Sequence, residues 1–174
     1  MSRIFTELSS IKGVVFDVDG VLSPSTVAID RNGVPCRMVN IKDGFALQLA
    51  VKKGLKIAII SGGTDDAIVC RYKALGIEDI YMGVGDKLPC LSEWLNKENL
   101  TAEEVAYVGD DIPDYQPMKA VGLSVCPKDA ATDIKQIAQY ISPVDGGYGV
   151  ARDLLEQILK RKGLWLDNAE AFGW

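Results

Sequence analysis

Short apolar runs alternate with helix-like segments along most of this chain. Strand-like runs cover residues 14–19, 56–61, 79–84, 105–109, 123–126 and, more weakly, 139–142. Between them, apolar side chains recur three and four positions apart, which is typical of amphipathic helices. This alternation predicts an α/β fold with a doubly wound, Rossmann-like parallel sheet covered by helices on both faces. Ligands of such sheets bind at the carboxyl ends of the strands.

The pattern changes after the first strand and again at the end of the chain. Residues 26–30 and 34–40 are short extended runs on either side of Asn32-Gly33, a dipeptide that favours hairpin turns. We therefore predict a β-hairpin flap over about residues 24–40, beside the ligand site. The aromatic tail, residues 163–174, is too short to fold alone and is expected to dock on its own domain or on a neighbouring subunit. All 174 residues are expected to form a single domain.

Composition restricts the partners and the chemistry. A net charge of −5 provides no basic field for nucleic acid or anionic lipid, and no apolar run approaches the roughly 20 residues that span a bilayer. The four widely spaced cysteines predict reduced, mostly packed thiols in a cytoplasmic protein. Histidine is absent, which excludes Ser-His-Asp and Cys-His nucleophiles, histidine-ligated zinc and phosphohistidine. Catalysis must therefore use carboxylates, hydroxyls, lysines, backbone amides and a hard metal.

Polar residues stand where four successive strands end. They are Asp17 and Asp19, then Ser61-Gly62-Gly63, then Lys87, then Asp110-Asp111-x-x-Asp114. Two carboxylates at the end of a buried strand require a cation to offset their charge. A hydroxyl and loose backbone amides before a helix suit phosphate oxygens. The four groups together predict a phosphate-handling site at one edge of the sheet.

Each group also has a plainer interpretation. Asp-x-Asp-Gly is a common surface turn, and Ser61-Gly62-Gly63 could be only a tight connection between strand and helix. Lysines such as Lys87 are usually solvated, and Asp110-Asp111 could cap a helix. The order of the groups, each after a strand, favours the functional interpretation. We expect Asp111 and Asp114 to orient the metal shell without ligating the metal.

With these residues, the chain resembles the haloacid dehalogenase superfamily of phosphotransferases. The superfamily's four motifs match, in order, Asp17-Val18-Asp19-Gly20-Val21, Ser61, Lys87 and Gly109-Asp110-Asp111-x-x-Asp114. The resemblance covers residues 11–161. It implies that Asp17 attacks the substrate phosphorus and becomes an aspartyl phosphate. It also implies that Asp19 protonates the leaving alcohol and then helps water to attack the intermediate.

The same resemblance implies a cofactor and a phosphate site. Mg²⁺ would be held by the carboxylates of Asp17 and Asp110 and by the main-chain carbonyl of Asp19. Ser61, Gly62 and Lys87 would bind the transferring phosphoryl group. Mg²⁺ and Lys87 would then supply the positive charge that a phosphoryl group in flight requires.

Finer details resemble the phosphatases of 3-deoxy-D-manno-octulosonate (KDO) 8-phosphate, a capless, tetrameric branch of the superfamily. The resembling segments include Asn40-Ile41-Lys42-Asp43-Gly44 and residues 69–77, 107–111 and 146–152. No interval between the motifs has room for a cap domain. The resemblance implies that KDO 8-phosphate is hydrolysed to KDO and phosphate by a homotetramer that assembles through its hairpins. One departure is Gly63, where several relatives carry a charged side chain that contacts substrate.

The sequence leaves alternatives open for the substrate, for two charged residues and for the class of protein. Lys42 and Arg71 are candidates for binding the sugar-acid carboxylate, directly or across a subunit boundary, or they are plain surface charges. A phosphatase for a nonulosonate (sialic acid or KDN-type) 9-phosphate would share every catalytic residue. A receiver-like signalling module would also combine acidic residues, a hydroxyl and a lysine. Receivers lack the second aspartate that Asp19 provides, which favours the phosphatase.

Overall fold

A six-stranded parallel sheet forms the centre of the protein. The computed structural model describes residues 8–168 and 173. The strand order is β5-β4-β1-β6-β7-β8, and every neighbouring pair is parallel. The strands of this sheet are β1 (Gly13–Phe16), β4 (Lys56–Ile60), β5 (Asp79–Tyr81), β6 (Val105–Val108), β7 (Leu123–Cys126) and β8 (Tyr140–Ile141). The predicted parallel α/β sheet is confirmed.

Helices cover both faces of the sheet. They are α1 (Ile41–Lys52), α2 (Asp66–Lys73), α3 (Lys87–Glu98), α4 (Tyr115–Ala120), α5 (Thr132–Ile137) and α6 (Val150–Arg161). Two short 3-10 helices, Ala102–Glu104 and Ile112–Asp114, precede β6 and α4. Val14 and Phe16 of β1 pack with α1, α2 and α6, whereas Val15 packs with α3, α4 and α5. Strand alternation thus gives β1 one buried set of side chains for each helical layer.

The strand register places the ends of the central strands side by side. Phe16 of β1 pairs with Ile59 of β4 and with Val108 of β6. β1 ends at Phe16, three residues earlier than the sequence predicts. Asp17 N still donates to Val108 O at 3.0 Å, and the chain then turns at Gly20, whose φ is +81°. The two aspartates therefore lie in a loop at the carboxyl edge of the sheet, and the strand stops before them.

The predicted hairpin is present, with shorter strands than the sequence indicates. β2 (Ala28–Ile29) pairs antiparallel with β3 (Pro35–Cys36). The Asp30 carboxylate accepts hydrogen bonds from the backbone N–H groups of Asn32 and Val34 at 2.8 Å, so the turn takes residues that the prediction placed in strands. Among the described residues this hairpin is the only insertion before α1, and none of them forms a cap domain.

The described part of the tail docks on its own chain. The Trp165 ring meets the Phe45 ring edge-on, with 6.0 Å between centroids, and the Arg152 guanidinium lies 4.7 Å from the centre of the Trp165 ring. Residues 169–172 and 174 of the predicted tail lie outside the described residues. No helix in the described part of the chain is long and apolar enough to cross a membrane.

The four cysteines are free thiols. Cys126 is buried and Cys90 is half-buried, but Cys36 and Cys70 are exposed. The prediction that most of them are packed is wrong, because Cys36 lies on the projecting hairpin and Cys70 on the outer side of α2.

Candidate active site

Asp17 lies at the bottom of a cleft at the carboxyl edge of the sheet and is only 8% exposed. Its Oδ1 accepts a hydrogen bond from Val18 N at 2.6 Å, and its Oδ2 lies 2.7 Å from Lys87 Nζ. Because Gly20 has no side chain and a positive φ, the loop can pass directly against the Asp110 carboxylate, which a Cβ at Gly20 would overlap. The loop thus brings the acidic groups of the first and fourth motifs together.

Lys87 is the first residue of α3 and is buried, with 3% of its side chain exposed. The interpretation as a solvated surface lysine is wrong. Its ammonium bridges Asp17 and Asp114, with 2.8 Å between Nζ and Asp114 Oδ1. Asp86 caps the helix start by accepting a hydrogen bond from Leu88 N at 3.3 Å. The cap and the two carboxylates hold the lysine in the cleft.

Asp114 is fully buried and both of its carboxylate oxygens accept hydrogen bonds. Oδ1 accepts from Lys87 Nζ and from the Tyr107 hydroxyl at 2.9 Å, and Oδ2 accepts from Asp110 N at 3.1 Å. Gly109 leaves room for this side chain, which a Cβ there would overlap. Asp114 thus holds Lys87, Tyr107 and the Asp110 backbone in place. That Asp114 and Asp111 orient the metal shell without ligating the metal stays a prediction.

The acidic groups of the cleft carry strongly perturbed pKa values. Burial, and then the charge of Asp114, raises the pKa of Asp17 to about 7. Burial, and then the charge of Asp17, raises the pKa of Asp110 to about 8. Burial alone would lower the pKa of Lys87, but the Asp17 and Asp114 carboxylates outweigh it and the pKa is raised. The single positive charge of Lys87 does not neutralise the three carboxylates of Asp17, Asp110 and Asp114. The cluster therefore favours binding of a further cation.

The geometry of the cluster fits a small divalent cation. Asp17, Asp110 and Asp114 each offer a carboxylate oxygen within 4.8 Å of those of the other two. Asp114 is fully buried and its Oδ1 already accepts two hydrogen bonds, whereas each Asp17 oxygen has one partner. Asp17 and Asp110 are therefore the side chains that fit best as ligands. Hard carboxylate oxygens are the ligands that Mg²⁺ prefers.

Ser61 lies across the cleft, immediately after β4, and is buried. Its backbone is fixed between neighbouring segments, because Ser61 N donates to Tyr81 O at 2.9 Å and Val84 N donates to Ser61 O at 3.0 Å. Gly63 N donates to Ser61 Oγ at 3.3 Å. The cleft encloses about 450 Å³. Its lining includes all six residues predicted for catalysis, phosphate and metal: Asp17, Asp19, Ser61, Gly62, Lys87 and Asp110.

Sequence reasoning missed Arg37, which follows β3 of the hairpin and, although it is not itself a lining residue of the cleft, contacts the lining residue Asp19. Its guanidinium donates from Nε to Asp19 Oδ1 at 2.8 Å and from Nη2 to Asp19 Oδ2 at 2.9 Å. The Arg37 side chain is 5% exposed. No motif surrounds it in the sequence, and only the folded hairpin brings it to Asp19.

Lys42 and Arg71 are not among the lining residues of the cleft. Lys42 is exposed in the first turn of α1. The Arg71 guanidinium lies over Gly44, with Nη2 2.6 Å from where a Cβ would stand. Their binding of substrate stays a prediction, and within one chain it has no support from the cleft.

The glycine-rich segment before α6 supports the loop of the two aspartates from behind. Gly147 N donates to Val21 O at 2.8 Å. A Cβ at Gly146 would overlap the Gly20 carbonyl oxygen, so the two backbones are in direct contact. Asn40, which caps α1 through Lys42 N at 2.8 Å, also donates to Gly147 O at 3.4 Å. These contacts fix the aspartate loop against the start of two helices.

Comparison with known proteins identifies the family of this chain. The family of haloacid dehalogenase-like hydrolases matches residues 68–154. The 3-deoxy-D-manno-octulosonate 8-phosphate phosphatase of Salmonella typhi is 34% identical over 97% of this chain and 89% of its own length.

Solved structures show the same similarity. The 3-deoxy-D-manno-octulosonate 8-phosphate phosphatase of Moraxella catarrhalis, in complex with magnesium, phosphate and KDO, has a TM-score of 0.90 and 31% identity, covering 99% of this chain and 97% of that one. The same phosphatase from Yersinia pestis has a TM-score of 0.89 and 31% identity, covering 92% and 87%. The chain belongs to the haloacid dehalogenase-like hydrolases, in the branch formed by these phosphatases.

Proposed function

We propose that this protein is a Mg²⁺-dependent phosphomonoester hydrolase that converts KDO 8-phosphate to KDO and phosphate. The observation that carries the proposal is the buried Asp17 carboxylate, 2.7 Å from Lys87 Nζ, in a cleft that also contains Asp19, Ser61 and Asp110. Relatives whose names state this activity cover nearly the whole chain. The substrate assignment rests on those relatives, and the chemistry rests on the cleft.

The proposed reaction has two displacements at phosphorus. In the first, an oxygen of Asp17 forms the bond to phosphorus, the bond to the sugar oxygen breaks, and Asp19 gives its proton to that oxygen. In the second, Asp19 takes a proton from water, the water oxygen attacks phosphorus, and the bond to Asp17 breaks. Ser61 Oγ, the Gly62 amide and the Lys87 ammonium bind the phosphoryl oxygens throughout.

Mg²⁺ would be held by the carboxylates of Asp17 and Asp110, with the Asp19 carbonyl as a further oxygen ligand. Its positive charge lets the Asp17 carboxylate approach a phosphate dianion. The Lys87 ammonium, which contacts both Asp17 and Asp114, would add positive charge to the same site.

The test of the proposed function is phosphate release with and without Mg²⁺. The substrates are KDO 8-phosphate, a nonulosonate 9-phosphate and several common sugar phosphates, with Asp17→Asn as the inactive control. We expect strong preference for KDO 8-phosphate and no turnover by Asp17→Asn. Preference for the nonulosonate 9-phosphate would overturn the assignment of KDO 8-phosphate as the substrate. Turnover by folded Asp17→Asn would refute the mechanism.

We also propose that the single catalytic domain assembles as a homotetramer through its hairpin and works in the cytoplasm. Large apolar side chains are exposed along the hairpin and the start of α1: Ile29, Val34, Met38, Val39 and Ile41. Such a cluster favours burial against another subunit. In a capless protein, a neighbour at this position would also cover the cleft and could bring Lys42 or Arg71 to the substrate.

Light scattering during size-exclusion chromatography tests the assembly. We expect the unmodified protein to be a tetramer and Ile29→Lys to form smaller species with reduced turnover. A monomeric unmodified protein with full activity would contradict the proposal.

A further inference from the structure

Arg37 connects three separate segments at the mouth of the cleft. Its two hydrogen bonds to Asp19 are bidentate, at 2.8 and 2.9 Å. Its remaining terminal nitrogen, Nη1, donates to Asp65 Oδ2 at 3.3 Å. Asp65 is itself fixed, because its Oδ1 caps α2 by accepting from Ala67 N at 2.9 Å. The guanidinium therefore ties the aspartate loop to the first turn of α2.

The burial of the pair is asymmetric. The Arg37 side chain is 5% exposed, whereas the Asp19 side chain is 41% exposed. A half-exposed carboxylate on a loop is free to rotate unless a partner holds both of its oxygens. A bidentate guanidinium fixes the plane and the direction of a carboxylate, which a single-point contact does not.

Gly63 provides the space that the guanidinium occupies. A Cβ at Gly63 would overlap Arg37 Nη2 and would stand 3.2 Å from Cζ and 3.3 Å from Asp19 Oδ2. The backbone of Gly63 is not in the left-handed region, so its conformation does not require glycine. Its N–H and carbonyl are engaged with Ser61 Oγ and Gly83 N, and neither bond depends on a side chain. Room for Arg37 is the reason that the structure offers for glycine at this position.

We propose that Arg37 is the positioning residue for Asp19, and that Gly63 serves it by leaving the guanidinium its space. This inference rests on the proposed function, in which Asp19 protonates the leaving oxygen. Arg37 aims the Asp19 carboxyl group at that oxygen by holding both of its oxygen atoms. The hairpin thereby supplies a charged group that holds a lining residue of the cleft of its own chain.

The role predicts a dependence on the leaving group. A sugar alcohol is a poor leaving group and needs a proton, whereas p-nitrophenol leaves readily without one. We expect Arg37→Met to lower kcat/KM for the sugar phosphate about tenfold or more, and for p-nitrophenyl phosphate about twofold or less. Arg37→Lys should recover only part of the loss, because an ammonium cannot hold both oxygens. Arg161→Met, at the exposed end of α6, is the control for loss of one charge.

Double substitutions test whether Arg37 acts through Asp19. In an Asp19→Asn background, Arg37→Met should cause no further loss with the sugar phosphate. Gly63→Ala should reproduce the leaving-group effect of Arg37→Met, and the two together should not be additive. Circular dichroism and thermal melting of each variant establish that it is folded.

Several outcomes would overturn the inference. Equal losses with the two substrates, an unchanged kcat/KM in Arg37→Met, or the same loss with and without Asp19 would each do so. If the unmodified protein does not hydrolyse KDO 8-phosphate, the substrate assignment fails by itself, and whichever sugar phosphate it does hydrolyse serves for the comparison. If it hydrolyses no phosphomonoester, both proposals fall.

Discussion

Asp114 Oδ1 lies 2.8 Å from Lys87 Nζ, and this ion pair is buried, with the Asp114 side chain fully inaccessible and Lys87 3% exposed. The same ammonium contacts Asp17, so Asp114 sets the position from which Lys87 meets the nucleophile. A buried charge pair is costly to break from one side, because the remaining partner has no solvent to compensate it.

Replacement of Asp114 should therefore affect stability and activity together. Asp114→Ala leaves Lys87, the Tyr107 hydroxyl and Asp110 N without their shared acceptor. We expect the free energy of unfolding to fall by about 3–5 kcal/mol, and kcat to fall at least about tenfold. Urea denaturation and phosphate release measure the two effects. Tyr107→Phe, which removes one hydrogen bond, is the matched control and should cost about 1 kcal/mol. Unchanged kcat in folded Asp114→Ala would show that Lys87 needs no such support.

Loss of Asp110 should weaken Mg²⁺ binding without unfolding the protein. Its carboxylate lies against Gly20 at the open side of the cluster and fits as a metal ligand. We expect Asp110→Asn to raise the Mg²⁺ concentration for half-maximal activity at least about tenfold. Isothermal titration with Mg²⁺ provides a measurement that does not depend on turnover. Asp133→Asn, in the first turn of α5, is a control for loss of one negative charge. Equal Mg²⁺ affinity in Asp110→Asn and in the unmodified protein would rule Asp110 out as a ligand.

Metal-free protein should become less stable as the pH rises. The pKa values of Asp17 and Asp110 are raised from 3.8 to about 7 and about 8 in the folded state. The folded chain then binds more protons than the unfolded chain at any pH between these values. The stability from these groups is therefore fully present below about pH 3.8 and is lost progressively as the pH rises to about 7 to 8.

Mg²⁺ should reverse that trend, because it binds the ionised carboxylates and displaces their protons. We expect the rise in Tm on adding Mg²⁺ to be larger at about pH 8.5 than at about pH 5.5. Thermal melting with Mg²⁺ and with a chelator at both pH values gives the comparison. A rise in Tm that is the same at both pH values would contradict the assignment of these two carboxylates to the metal.

The tail should contribute to stability and leave the chemistry alone. Trp165 packs edge-on against Phe45 and lies under the Arg152 guanidinium, away from the cleft. We expect Trp165→Ala to lower the free energy of unfolding by about 1–2 kcal/mol with kcat unchanged. The neighbouring Leu166 is 44% exposed, so Leu166→Ala should change the free energy of unfolding by less than about 0.5 kcal/mol. Chemical denaturation tests both, and a large fall in kcat for Trp165→Ala would place the tail in catalysis.

Much of the cleft could be predicted because its residues follow strands in a fixed order. The apolar run before Asp17 identifies β1, and parallel strands bring their carboxyl ends to one edge, so Asp17, Ser61, Lys87 and Asp110 meet without further information. The buried Lys87 could not be distinguished from a surface lysine by its neighbours in the chain. Its burial depends on Asp114, 27 residues away, and the pair exists only across the sheet edge.

Arg37 marks the limit of sequence reasoning here. The hairpin was predictable from Asn32-Gly33, but the direction in which it projects is not a local property. β2 and β3 contain two residues each, and the contacts of Arg37 with Asp19 and Asp65 lie 18 and 28 positions away. The sequence alone indicates a missing charge at Gly63, whereas the structure fills that space with the guanidinium of Arg37 from another segment.

The backbone contact between Gly146 and Gly20 affects the order in which parts of the chain fold. The aspartate loop follows the first strand, but it is held by Gly147, whose N–H donates to Val21 O. The start of α1 is joined to the same C-terminal region by Asn40 and Asp43, whose partners lie 107 and 109 positions away. Contacts of such long range form late, because the intervening chain must first be ordered. During synthesis the nascent chain would carry every motif well before it could act, and the cleft would become competent only when α6 packs behind it.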